Sequence, residues 1–217
     1  MKETIFDKIL REMRLRQIKA HLSEFENIRL LDVGCGWEAR LLKAVEPFIA
    51  KGIGIDFKAP NINSEKLHTF SYFFEPKDDK FIESNLNCIK NSESATGGGG
   101  DLSKIVSLPF ENESFEVVCM LAVIEHLNYP LLMLKEIKRV LIKNGILLIT
   151  APSHASKPVL EFLSYKLHLI DGAEIKDHKR YYNKADLEHC ANEAGLRMEM
   201  HKYFQFGFNN FAKIRKN

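Results

Sequence analysis

Asp32-Val33-Gly34-Cys35-Gly36 sets an acid directly before two glycines spaced two apart, and Glu38 follows them. Asp56 ends the next apolar run, about twenty residues beyond the glycines. Glycine at such a turn opens backbone angles closed to other residues and lets a ligand lie against bare main chain. Three ligand chemistries compete for this spacing. A nucleoside triphosphate requires Lys-Ser/Thr after the last glycine, and Trp37-Glu38 stands there instead, which excludes it. A dinucleotide matches Gly34-x-Gly36-x-x-Ala39, with Asp56 placed for ribose hydroxyls, but Asp32 and Glu38 would both repel a pyrophosphate. A phosphate-free cation is favoured by both acids, and Asp56 can still serve a ribose diol. S-adenosylmethionine, with its sulfonium and ammonium, has that chemistry.

The flanking elements follow from periodicity. Ile28–Val33 is continuously apolar and predicts a buried strand. Residues 37–50 predict the helix after the turn, ended or kinked by Pro47, and Lys51–Asp56 a second strand, giving a right-handed βαβ unit. Residues 61–75 read ambiguously, as a helix and then a loop, and Lys80–Ser84 predicts the third strand. Residues 87–104 are polar and run into Gly97–Gly100, which predicts a flexible insertion. Ser114–Leu121 predicts a fourth strand, Tyr129–Lys143 a helix stopped by Asn144-Gly145, and Ile146–Ala151 a fifth strand. Pro158–Leu169 predicts a helix, Asn183 caps another that ends at Gly195, and residues 197–204 and 208–215 predict a closing hairpin. The class is α/β with a mainly parallel sheet.

Residues 1–27 read as an N-terminal helical extension and residues 28–217 as the main domain. The extension predicts a basic helix over residues 3–26, laid against the domain, or acting as a lid or a contact for an anionic substrate. Asp7, Glu12 and Glu24 dilute its charge and weigh against a membrane-surface role for it. A hydrophobic fraction of 45% and a net charge of +2 fit an ordinary globular chain of 217 residues and give no nucleic-acid signal. No apolar run approaches the roughly 20 residues of a membrane span, and no signal-peptide core is present, so the expected location is cytoplasmic. The four scattered cysteines predict reduced thiols rather than a disulfide frame or a zinc site.

Leu31–Gly36 (LDVGCG), Gly52–Asp56 (GIGID), Leu108-Pro109-Phe110 followed by Ser114–Val118 (SFEVV), Val123–Leu127 (VIEHL), and Arg139–Leu141 with Gly145 come in a telling order. In order and spacing they resemble the Rossmann-like, class I S-adenosylmethionine-dependent methyltransferases, nearest to the type 11 subgroup. The resemblance covers residues 28–151 well and the ends loosely. It implies a three-layer α/β sandwich around a seven-stranded, mostly parallel sheet with the last strand antiparallel, and S-adenosylmethionine as cofactor. Carried over by position, Asp32, Gly34, Cys35 and Gly36 would line the methionine moiety, Asp56 would take the ribose and Phe57 would pack beside the adenine. Leu121 and Ala122 would close the site near the donor's amino end. An acid or amide near the adenine amino group is supplied either by Asn85 or by Asp101, with Leu102 beside it.

Methyl transfer to oxygen calls for a general base, and His126, His154 and His178 are the candidates. Some relatives bind a divalent cation through Glu-x-x-Glu-His; Ala122 replaces the first of those ligands, so no metal is expected. The acceptor is expected to be a small molecule. Two other readings stay open: a nicotinamide-dependent oxidoreductase on the same turn, and a non-catalytic methyltransferase-like partner protein.

Overall fold

Short apolar strands alternating with helices solve one problem, the covering of both faces of a buried sheet. The computed structural model describes residues 5–74, 107–156 and 180–217. Its elements are α1 (Ile5–Leu22), β1 (Arg29–Val33), α2 (Arg40–Val45), β2 (Lys51–Asp56), β3 (Leu67–Ser71) and β4 (Phe115–Leu121). Then come α3 (Pro130–Val140), β5 (Leu141–Pro152), α4 (Lys184–Glu193), β6 (Arg197–Phe204) and β7 (Asn209–Arg215). Among the described residues, seven strands form one sheet in the order β3-β2-β1-β4-β5-β7-β6. β1 to β5 pair in parallel, and β7 lies antiparallel to both β5 and β6. This is the Rossmann-like arrangement that the resemblance implies.

Successive side chains of β1 point to opposite faces. Leu30 joins Leu15, Ile18 and Leu22 of α1 and Leu42 of α2 in one core. Leu31 and Val33 join Met133, Leu134 and Ile137 of α3 and Leu187 of α4 in the other. Asp32 is the buried polar exception on this strand. The strand order reverses between β1 and β4, and the crevice at their carboxyl ends is where open α/β sheets bind ligands.

Several boundaries differ from the sequence expectation. The third strand is β3, inside the stretch that read ambiguously, and Lys80–Ser84 lies outside the described residues, as do the insertion at 87–104 and the helix expected at Pro158–Leu169. The helix after the glycine turn starts at Arg40 rather than at residue 37, because Ala39 takes a left-handed conformation (φ 48°). It ends at Val45, and a single 3-10 turn over Glu46–Phe48 accommodates Pro47. α3 ends at Val140, before Asn144-Gly145, because Leu141 is already extended and pairs with Phe115. α4 begins as read: Asn183 accepts from the Asp186 N–H (3.0 Å), and the Asp186 carboxylate accepts from the Asn183 N–H (2.8 Å), a reciprocal capping box.

Candidate active site

The glycine turn is held by main chain before any side chain acts. The N–H groups of Gly34 and Cys35 both donate to the Ile55 carbonyl (2.8 and 3.1 Å). Gly34 has φ 79°, and a methyl group placed on it would collide with Cγ2 of Val123. That close approach brings the loop after β4 down onto the turn. Gly36 has φ 67°, and its missing side chain faces open space. One glycine is therefore required by packing, and the other leaves room beside exposed main chain.

Asp56, at the end of β2, accepts from the Gly36 N–H through Oδ2 (3.1 Å) and from the Lys58 N–H through Oδ1 (2.9 Å). These bonds orient the carboxylate at the turn and leave lone pairs for further donors. Asp32 is buried, and burial, helped by the charge of Asp56, pushes its carboxyl up to about 7. A cationic ligand matches this field; an anionic one opposes it. Cys35 turns its thiol into the core, where a side chain on Gly54 would strike it, and burial followed by the two acids pushes that thiol up to about 12. It is an inert thiol, so only its main chain is available at the turn. Glu38 lies outside α2, exposed and paired with Arg40 (2.8 Å), so it sits on the rim rather than within the first helical turn.

Leu121 ends β4 half-buried. Ala122 has φ 56° and donates its N–H to the carbonyl (3.0 Å) and hydroxyl (3.1 Å) oxygens of Thr150. This bend sends the chain back over Gly34. The loop carries Glu125, which the sequence offered only as a metal ligand. It is buried, its Oε2 lacks a hydrogen-bond partner among the described residues, and burial raises it to about 7 against the opposing pull of Arg14 on α1. α1 therefore reaches the site: Arg14 acts on Glu125, Arg11 contributes to the field on Glu38, and Gln205 of the β6–β7 turn donates to the Leu10 carbonyl (2.8 Å).

The histidines separate. His126 is half-buried in the loop after β4, its N–H bonded to the Val123 carbonyl (2.9 Å). His154 follows β5 but is exposed and paired through Nε2 with Asp186 of the capping box (3.1 Å). His178 lies outside the described residues, as do Asn85, Asp101 and Leu102. Phe57 is exposed beside the turn, with the Lys58 ammonium over its ring at 5.2 Å and over that of Trp37 at 5.6 Å. The loop after β4 is also bonded to Arg180 and Tyr182, from the segment that the sequence offers as an acceptor wall, and Asn210, which the sequence did not single out, supports them. Tyr182 is fully buried and donates to the Ile124 carbonyl (3.3 Å), and Arg180 donates to the Leu127 carbonyl (2.8 Å). Asn210 donates to the Tyr182 (2.8 Å) and Ala151 (3.2 Å) carbonyls. Only the buried position of an amide on a core strand could have signalled Asn210.

A methyltransferase-domain family model matches residues 6–201. No curated protein matches the chain by sequence. Solved structures share the fold. A chain from the complex of the Haloferax volcanii Trm112 methyltransferase activator with its methyltransferase partner has a TM-score of 0.62 at 14% identity, covering 97% of this chain and 93% of that one. A SAM-dependent methyltransferase from Aquifex aeolicus has a TM-score of 0.53 at 16% identity, covering 94% and 89%. Magnesium protoporphyrin IX methyltransferase from Synechocystis, solved with bound SAH, has a TM-score of 0.56 at 10% identity, covering 100% and 90%.

Proposed function

The chain belongs to the methyltransferase-domain family, and from that premise we propose that it transfers a methyl group from S-adenosylmethionine to a small-molecule acceptor by direct displacement. One observation carries the choice of donor. The buried Asp32 and the Asp56 carboxylate flank a glycine turn whose open side is at Gly36. That charge suits a phosphate-free cation and opposes the pyrophosphate of a nicotinamide dinucleotide.

The bound donor supplies an activated methyl on a sulfonium. The protein's part is alignment and exclusion of water. Asp56 is oriented by two N–H groups to accept from ribose hydroxyls. Asp32 faces the cationic end, with the main chain of Gly34, Cys35 and Gly36 along it and Leu121 and Ala122 closing it. Phe57 flanks the adenine, and either Asn85 or Asp101-Leu102 serves its amino group. His126, half-buried in the loop that lies over Gly34, is the favoured base for an oxygen acceptor among the described histidines, and His154 stands exposed after β5. His178 is the remaining candidate.

Thermal melting with each cofactor tests the reading. S-adenosylhomocysteine and S-adenosylmethionine should raise the melting temperature, and NAD(H) should leave it unchanged. Stabilisation by NAD(H) alone would sink the proposal. Donor binding without methyl incorporation into any acceptor class would leave a non-catalytic partner protein.

A further inference from the structure

A donor seated on the glycine turn has two ends, and the sheet gives each of them a side. β1 lies between β2 and β4. Asp56 and Phe57 stand on the β2 side, where Val33 pairs with Ile55. On the other side Val33 pairs with Met120, and the loop beyond β4 comes down on Gly34 through Val123. A ligand whose ribose is held by Asp56 therefore carries its methionine tail across the turn towards that loop. The tail ends in a zwitterion, one ammonium and one carboxylate. A seat for it needs an acid and a base side by side.

Glu125 and Arg14 supply them. Glu125 follows Val123 by two residues and is 1% exposed. Its Oε2 has no hydrogen-bond partner among the described residues. Burial opposes its charge, and the pull of Arg14 does not offset that burial. An unsatisfied buried carboxylate oxygen is costly, and a positively charged N–H donor is the group that removes the cost. The loop is not free to turn this oxygen out to water: Tyr182 holds the Ile124 carbonyl (3.3 Å) and Arg180 the Leu127 carbonyl (2.8 Å). Arg14 comes from the opposite side. It is half-buried on α1, a helix fixed by Leu15 and Ile18 in the core and by the bond from Gln205 to the Leu10 carbonyl (2.8 Å). Its guanidinium is a planar fork that fits a carboxylate.

We propose that Arg14 and Glu125 form the seat of the donor's amino-acid end: the guanidinium takes the carboxylate, and Glu125 Oε2 accepts from the ammonium. The ammonium has three N–H groups, enough to serve Glu125 above the turn and Asp32 below it. In this arrangement α1 is part of the donor site. The inference rests on S-adenosylmethionine as the donor, and it adds the two side chains that separate the full ligand from its bare nucleoside.

Isothermal titration calorimetry of the full chain tests this with three ligands that share the adenosine. S-adenosylhomocysteine carries both charges of the tail, its decarboxylated analogue carries the ammonium alone, and methylthioadenosine carries neither. The parent should bind them in that order of affinity. Arg14→Met should weaken S-adenosylhomocysteine about tenfold or more and leave the other two no weaker. Arg14→Lys should keep part of that affinity. Glu125→Gln should weaken S-adenosylhomocysteine and the decarboxylated analogue by about tenfold and leave methylthioadenosine unchanged. Circular dichroism and melting check that each variant folds. Equal weakening of all three ligands would reduce the pair to a structural role and overturn the proposal. Affinity for S-adenosylhomocysteine that ignores both substitutions, or a parent that binds methylthioadenosine as tightly, would overturn it too. A parent that binds none of the three would sink the choice of donor itself, and this inference with it.

Discussion

Replacing Asp32 by Asn should make the free protein more stable at alkaline pH while abolishing its function. An aspartate ordinarily loses its proton near 4, and burial beside Asp56 holds Asp32 at about 7. Below pH 4 both folded and unfolded chains keep the proton, and this group costs nothing. As pH rises above 4, the unfolded chain releases it and the folded chain does not, so stability falls until about pH 7 and then levels off. About three pH units at about 1.4 kcal/mol each amount to roughly 4 kcal/mol. Burial of the new amide takes back part, leaving a gain of about 2–4 kcal/mol. In a chain of this size that is roughly 5–15 °C in melting temperature. Melting of D32N and the parent at pH 5 and pH 8 is the assay. The difference should be near 1 kcal/mol at pH 5 and reach its full size at pH 8, on the order of the values above. The same variant should lose the stabilisation that S-adenosylmethionine gives the parent. A D32N protein that melts lower than the parent at pH 8, or a difference that does not change with pH, would refute the argument that the buried charge is held for a cationic ligand.

Gly34→Ala adds a methyl group that meets Val123 and a residue that disfavours φ 79°; it should lower stability by about 2–3 kcal/mol, and Val123→Ala in the same chain should recover only the steric part, read by urea denaturation. Asn210→Ala removes the donor to the Tyr182 and Ala151 carbonyls and the acceptor next to His201 Nε2 (2.8 Å), for a loss of about 2–3 kcal/mol. Limited proteolysis near Tyr182 should accelerate with it. Arg139 donates to the Phe110 (2.7 Å) and Leu108 (3.0 Å) carbonyls and to Glu136 (2.8 Å); Arg139→Lys keeps the charge but not the fork, and should cost about 1–2 kcal/mol with faster amide exchange around Leu108. Glu125→Gln should raise the melting temperature at pH 8 and leave it unchanged at pH 4, because burial holds that carboxyl at about 7 as well.

The glycine turn and the acids beside it stand out in the sequence because they fall at fixed spacing along one strand–turn–helix unit, and the structure brings them together. Asn183 was legible as a cap, and the structure adds Asp186, three residues on, as its reciprocal partner. β3 was not. Only Leu67 and Thr69 are buried on it, one of them polar, so the segment shows no apolar alternation. Its edge is closed by local bonds, Ser64 N–H to the Leu67 carbonyl and Thr69 N–H to the Ile62 carbonyl (both 2.9 Å), which leave no sequence signature. The late start of α2 depends on a left-handed Ala39, and alanine gives no warning of a positive φ. Leu141 is buried and apolar whether it ends a helix or begins a strand, so periodicity could not place that boundary. The pull of Arg14 on Glu125 joins residues far apart in the chain, and only the packing of α1 brings them together.

The position of β7 has a consequence for the order in which the protein can be assembled during synthesis. It is the last strand in sequence, yet it lies inside the sheet, between β5 and β6. Its Phe211, Ala212 and Ile214 are buried. Until Asn209–Arg215 leaves the ribosome, β5 has no neighbour on that side, and the N–H and carbonyl groups of Ile146–Ala151 form an open, strongly apolar edge. A nascent chain stalled in α4 or β6 would present that edge to other copies of itself. Lys143 in β5 and Lys202 in β6 then acquire a second value, as charges that guard against premature strand pairing.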